Sequence, residues 1–438
     1  MAIDISYKQL FDNFNNLQNY ETLSKNLHIR RIKNINLAKI FNNFNEYNSS
    51  NNLPNSELYD AICSDLKFFP NNVHPNVFLL NDIVEEKGTV VDTLNIKKEG
   101  KDLISFENCL NKYQIGRHEN LGNVTGPKSY YYFNNLALLE RALFKYIMEI
   151  LIKNNFIIIN SPSIIHKSYI EGCGFPLDSV RDQIYYLNPH IFPNICMAGT
   201  SEIPLASYFS NITFLRKELP IKVCAISRCY RAEITSNKKE HGLYRVNYFD
   251  KLEMFAITSS DLDNQESENM LKHFVSLQKE IYSNLGLHLR VLEMAGHELG
   301  LPAYHKFDIE SWMPARKIFG EISSASNCTD FQSRRLNIKY IPDINDDSHD
   351  NCIVDDSVNK TGTKPYCFVH TVNGTACAIP RLMISLIETH YEPKNNFIKY
   401  PKVLLPFLNF FYDNDINLDL AITEPIERWS QRPLKTKR

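Results

Sequence analysis

Two alternating apolar runs, Ile221 to Tyr230 and Leu252 to Ile257, flank a polar stretch and predict a β-hairpin with a long loop. A helical period governs other segments. Leu136 to Leu151 reads as an amphipathic helix, followed by a strand at Phe156 to Ile159 and by Pro162. Met270, Phe274, Leu277 and Ile281 fall at helical spacing and predict a core-facing stripe, with a capping-box-like start at Ser260 and Asp263 and an end at Gly286. Towards the N-terminus, Glu21 to Phe44 and Ser56 to Phe69 predict one helix each, separated by Pro54 in the Asn/Ser-rich run Asn48 to Asn55. Asp343 to Thr363 is acidic, poor in apolar residues, and reads as a mobile loop. There is no internal repeat and no run of 18 apolar residues, so no membrane span is expected.

The predicted hairpin carries candidate chemistry. Arg231, Glu233, Arg245, Phe249 and Glu253 would gather on one of its faces. Guanidinium forks suit phosphate, an aromatic ring suits a stacked base, and a carboxylate suits an amine, so the set fits an adenine nucleotide. A surface hairpin with ordinary ion pairs has the same composition. A second segment, Asn373-Gly374-Thr375-Ala376-Cys377-Ala378-Ile379-Pro380-Arg381, runs into the apolar helical stretch Leu382 to Ile387. Small residues there let the backbone approach a ligand, and Pro380 suits a first helical turn, where a missing N–H costs little; a plain strand-to-helix junction also fits.

The hairpin resembles motif 2 of the class II aminoacyl-tRNA synthetases, the second segment resembles motif 3, and Leu136 to Pro162 resembles motif 1. Within that class the chain resembles the seryl-tRNA synthetases, particularly the animal mitochondrial type. The resemblance is carried by Ala198-Gly199-Thr200-Ser201-Glu202, by Arg231-Ala232-Glu233 and Gly242-Leu243-Tyr244-Arg245, and by the ordered run from Glu298 to Arg335. It covers roughly residues 100 to 400, with an echo in Phe69 to Pro75. It implies an α+β fold: a catalytic domain of antiparallel sheet flanked by helices over residues 100–420, behind a shortened N-terminal helical hairpin domain over 1–95. A basic tail, 421–438, would follow.

By the same resemblance, ATP and serine form seryl-adenylate, and the seryl group then passes to tRNA(Ser). Arg231 would sit on the α-phosphate, with Glu233 at the adenine amine, Phe249 stacked on the base, and Arg381 covering its other side and reaching the outer phosphates. Arg245 would grip the γ-phosphate, while Val246, Ile322 and Ser323 complete the nucleotide site. Glu321 and Ser324 would bind the nucleotide through Mg²⁺; no zinc is expected. Thr200, Ser201, Glu202, Glu253, Asn373 and Thr375 would form the serine pocket. A site built to pair a substrate hydroxyl rejects analogues lacking it by ~10⁴ or more.

Charge alters the picture of tRNA binding. The formal net charge is −2, so affinity for tRNA must come from local patches. Candidates are Lys238 and Lys239, Arg334 and Arg335, and the tail residues Arg428, Arg432, Lys435, Lys437 and Arg438. The family's long coiled-coil arm is reduced here: only 43 positions separate Arg31 from His74, and Ile40 to Leu66 holds no Lys or Arg. The poor grip suggests a dimer, either of identical chains or with an armed paralogue. It also keeps open a synthetase-like paralogue with a binding or regulatory role, such as the insect mitochondrial type. His241 and Asn247-Tyr248 depart from the family pattern beside the motif 2 loop. The ten cysteines show no paired framework, as in a reducing compartment. The resemblance implies the mitochondrial matrix, although Met1-Ala2-Ile3-Asp4 lacks the Arg-rich, acid-poor character of a transit peptide.

Overall fold

The computed structural model describes residues 20–50, 57–79, 87–100, 102–122, 124–126, 128–175, 177, 183–233, 242–260, 264–343 and 365–409. The predicted loop after Asp343, the basic tail, Lys238, Lys239 and His241 lie outside the described residues.

The alternating runs build the centre of an eight-stranded sheet. Its strands are β1 (Gly88–Leu94), β2 (Ile157–Ile158), β3 (Ile221–Tyr230), β4 (Tyr248–Thr258), β5 (Leu289–Met294), β6 (His305–Met313), β7 (Ile318–Thr329) and β8 (His370–Ala378). They lie in the order β1-β5-β6-β7-β8-β4-β3-β2. Every pairing is antiparallel except that of β2 with β3. The hairpin therefore forms as predicted, and the motif 3 strand β8 joins it from 120 residues further along the chain.

Period-two alternation makes β4 face two cores. Leu252, Met254 and Ala256 enter one apolar cluster with helices α5 (Asn134–Lys153), α7 (Gln265–Asn284) and α9 (Arg381–His390), whereas Phe255 and Ile257 enter a second cluster. The predicted stripe Met270, Phe274, Leu277 and Ile281 lies in the first. It approaches β8 closely: a Cβ on Gly374 would stand 3.0 Å from the Phe274 ring and 3.3 Å from Ala325 Cβ. Helix α7 begins later than the capping-box reading implied, with Asn264 as N-cap rather than Ser260, while Gly286 ends it with φ +77°.

The N-terminal unit differs from expectation. Glu21 to Phe44 is two helices, α1 (Tyr20–Ile29) and α2 (Leu37–Ser49), because Arg31 turns the chain at φ 54° and Asn36 Oδ1 caps the restart by accepting from Lys39 N–H. Helix α3 (Glu57–Lys67) packs with them around Leu23, Ile40, Ile62 and Leu66. Helices α4 (Phe106–Tyr113), α6 (Glu202–Tyr208) and α8 (Phe331–Leu336) surround the sheet. Among the described residues eight cysteines are free and buried. Among the described residues no helix is long and apolar enough to cross a membrane.

Candidate active site

The face of β4 that carries Phe255 and Ile257 continues, two residues at a time, through Glu253, Lys251 and Phe249. Its neighbours bring matching groups to that face: Thr375 lies directly opposite Glu253, and Asn373 opposite Phe255. Arg231 follows β3, and β7 adds Glu321 to Ser324 from beyond β8. Together they line a cleft of about 550 Å³. Every residue expected to bind serine or nucleotide lines it except Ser201. Ser201 is fully buried, and its hydroxyl is 2.5 Å from that of Ser227, so the structure removes it from the pocket.

One end of the cleft is acidic. Glu253 and Lys251 form a buried ion pair, and Lys251 Nζ donates to Thr200 Oγ1 at 2.6 Å. Thr375 Oγ1 donates to Glu253 at 3.4 Å. Glu202 Oε1 accepts from Gln332 at 2.6 Å and from Asn373 Nδ2 at 2.9 Å. Burial, reinforced by the nearby Glu253 carboxylate and opposed by Lys251, raises the Glu202 carboxyl to about 7. Two carboxylates against one ammonium leave this dry floor suited to a small cation carrying a hydroxyl. Breaking such a pair from one side typically costs about 3–5 kcal/mol, because it strands a buried charge.

The other end is cationic. The Arg231 guanidinium lies 5.1 Å over the Phe249 ring, its Nε donates to Gly199 O at 3.2 Å, and no carboxylate among the described residues pairs with it. Arg245 meets Glu233 at 3.4 Å. Arg381 lies 4.5 Å over the Tyr244 ring, donates through Nε to the Tyr244 carbonyl at 3.2 Å, and reaches Glu321 at 3.1 Å. Burial acts to raise the Glu321 carboxyl, but Arg381, Lys306 and Arg231 outweigh it and hold it below the usual carboxylate range. Its side chain remains 40% exposed, so solvent softens that pull.

Several members of the wall were not anticipated, among them Lys251, Lys306, Tyr244, Arg30 and the segment 299–303. Lys251 was legible by parity, since it lies between Phe249 and Glu253, although the predicted run began only at Leu252 and the strand begins at Tyr248. Tyr244 and Lys306 lie in stretches that carry the family resemblance but had no assigned role, and nothing local marks Arg30. Two predicted RNA contacts are engaged internally instead. Arg335 is buried over the Phe331 ring at 3.5 Å, and Arg334 pairs with Asp330.

His74, Glu268 and His305 converge elsewhere. The two imidazoles stack face to face at 4.2 Å and 8°, so their lone pairs run side by side rather than towards one ion. Burial acts to lower His305, but hydrogen bonds to Glu268 at 2.9 Å and Glu293 at 2.8 Å prevail and raise it to about 9. His305 is thus a charged imidazole held between two carboxylates, and its stack on His74 ties the chain before β1 to β6.

A strongly antiparallel sheet at whose strand and helix ends two distant segments bring guanidiniums to one cleft defines the class II aminoacyl-tRNA synthetase core. The family model for the tRNA synthetase class II core domain (G, H, P, S and T) matches residues 193–390. The chain is 40% identical over 344 residues to the mitochondrial serine–tRNA ligase of Bos taurus, covering 77% of this chain and 61% of that one. It is 38% identical over 369 residues to the mitochondrial serine–tRNA ligase of Saccharomyces cerevisiae, covering 83% and 76%. The crystal structure of the cytoplasmic serine–tRNA ligase from Naegleria fowleri in complex with AMP shares the fold, with a TM-score of 0.75, 23% identity, and coverage of 93% and 97%. The chain belongs to the serine–tRNA ligase family. It spans less than two thirds of the length of its bovine relative.

Proposed function

We propose that this chain is a serine–tRNA ligase that activates L-serine with ATP and charges mitochondrial tRNA(Ser). The observation that carries the reading is the two-ended cleft, with arginines from β3 and α9 at one end and the Glu202, Glu253 and Thr200 floor at the other. In the first step a serine carboxylate oxygen attacks the α-phosphorus, the bond to the β-phosphate oxygen breaks, and pyrophosphate leaves. Arg231 neutralises the repulsion between the two anions and holds them in line, so positioning and fixed charge supply most of the catalysis. Phe249 and Arg381 sandwich the adenine, Glu233 accepts from its amine, and Arg245 holds the γ-phosphate against the Val246, Ile322 and Ser323 wall. Thr200, Glu202 and Glu253 receive the ammonium and hydroxyl, with Asn373 and Thr375 closing the pocket. In the second step a ribose hydroxyl of the tRNA attacks the seryl carbonyl and AMP leaves.

Glu321, with Ser324 beside it, would hold Mg²⁺ through the nucleotide; its partly open, ionised carboxylate suits a hard cation that neutralises phosphate charge. No zinc is required. A place in the mitochondrial matrix is part of this reading; the names of the bovine and yeast relatives support a mitochondrial location. Helices α2 and α3 have 13 and 11 residues, about 20 and 17 Å long. That shortness favours a dimer in which a paralogue supplies the arm, and it is the one feature favouring a second reading, a binding or regulatory paralogue. Serine-dependent ATP–pyrophosphate exchange tests the enzyme reading without tRNA; no exchange at high serine would favour the paralogue.

A further inference from the structure

Arg30, immediately after α1, is only 5% exposed. Its guanidinium meets amide oxygens alone: Nε donates to Asn26 Oδ1 at 3.1 Å, Nη1 to Gly300 O at 2.9 Å, and Nη2 to Ala303 O at 2.6 Å and Asn72 O at 3.1 Å. Among the described residues no carboxylate pairs with it, and burial pulls its pKa down to about 9. A buried cation without a counter-charge is costly unless its donors are satisfied. The four acceptors meet that need, and two of them belong to residues 299–303.

That segment lines the cleft, as do Arg30 and Ile32. It is also gripped by Asn71, whose N–H donates to Leu301 O at 2.8 Å and whose Nδ2 donates to Pro302 O and Cys328 O at 2.8 Å each. Cys328 Sγ in turn accepts from Asn373 Nδ2 at 3.5 Å, and Asn373 is the partner of Glu202. Through these bonds the wall held by Arg30 is linked to the acidic end of the cleft. Polar spacing could not reveal this, because the contacts join residues about 270 positions apart.

We propose that Arg30 is a positioning residue for amino-acid recognition, through which the N-terminal helical unit holds residues 299–303 as the far wall of the acidic subsite of its own chain. The shortened unit thus has a task besides gripping RNA. This inference rests on the serine reading of that subsite.

The test is ATP–pyrophosphate exchange by the full chain, titrating serine at saturating ATP and ATP at saturating serine, with thermal melts to confirm folding. Arg30→Met, which keeps the apolar stem and removes every donor, is expected to raise the serine KM about tenfold and to leave the ATP KM within about twofold. Arg30→Lys, keeping the charge without the planar fork, is expected to fall between. An unchanged serine KM in folded Arg30→Met, or an equal rise in both KM values, overturns the proposal. If Arg30→Met does not fold, an unchanged serine KM in Arg30→Lys overturns it instead. Absence of serine-dependent exchange in the unaltered chain overturns the serine reading and this inference together, whereas exchange with unresponsive Arg30 variants overturns only the inference.

Discussion

The two ends of the cleft solve opposite problems with the same residue types. At the acidic end, Glu202, Glu253 and Lys251 are buried and fixed by neighbouring strands and helices, so each missing partner is expensive. At the cationic end the arginines lie at strand and helix ends; Arg381 is paired with the Glu321 carboxylate, which solvent reaches, while Arg245 meets the buried Glu233 carboxylate in the cleft wall. Burial makes one end selective for a small polar molecule; accessible, pre-oriented charge makes the other strong towards phosphate.

The largest test of that contrast removes charge from the cationic end. Arg231→Ala is expected to lower kcat for pyrophosphate exchange by ~10²–10³ with little change in melting temperature, since among the described residues the side chain has no carboxylate partner to strand. An effect below about tenfold would mean that Arg231 does not meet the developing charge.

Next comes the acidic floor. Glu202 titrates near 7, above its ordinary 4.5. The floor therefore gains its full negative charge only above pH 7, and the serine KM should rise as pH falls through that value, by about tenfold per unit below it. Stability has the opposite sign: the folded chain holds this proton more tightly than the unfolded chain, so between pH 4.5 and 7 the Glu202 contribution falls as pH rises. Glu202→Gln should flatten the serine profile, and a profile that stays sloped would assign it to another group. Glu140 and Glu388 also titrate near 7, which makes this variant the necessary control.

A smaller effect is expected from outside the cleft. Glu107 on α4 accepts from Leu243 N–H at 3.1 Å and pairs with Arg316, holding the turn whose Tyr244 carries Arg381. A Cβ on Gly242, at φ +66°, would stand 2.3 Å from that carboxylate. Glu107→Ala should raise the ATP KM about five- to tenfold and spare the serine KM, because the loss of a charged hydrogen bond there loosens only the nucleotide end. Equal shifts in both would remove the distinction. Smallest of all, Ser201→Ala should leave both KM values within about twofold and cost about 1 kcal/mol in denaturant unfolding, the worth of one buried hydroxyl bond.

Much of the cleft was legible because its strands repeat every two residues. Alternation marked β3 and β4, and the same parity that selects Phe249 and Glu253 selects Lys251. Helix α7 was legible from its apolar stripe, although its start was not, because the chain enters it through Asn264 in a left-handed conformation and not through a capping box at Ser260. The single helix expected over Glu21 to Phe44 failed at Arg31 and Asn36, where a positive φ and a side-chain cap interrupt an apolar spacing that remains compatible with one helix. Ser201 shared a motif with Thr200 and Glu202, but it sits at the N-terminus of α6, turned towards Ser227 rather than the cleft.

By itself the sequence determined the hairpin, the strand-to-helix junction at Arg381, the core stripe of α7 and the residue types able to face phosphate and an ammonium, because each follows from local period and side-chain chemistry. Only the tertiary structure decided that β8 lies beside β4, that Lys306 and Tyr244 join the wall, that Arg334 and Arg335 turn inward, and that Arg30 reaches residues 299–303. Those outcomes depend on contacts between residues far apart in the chain, where burial and geometry, and not local spacing, set the energy.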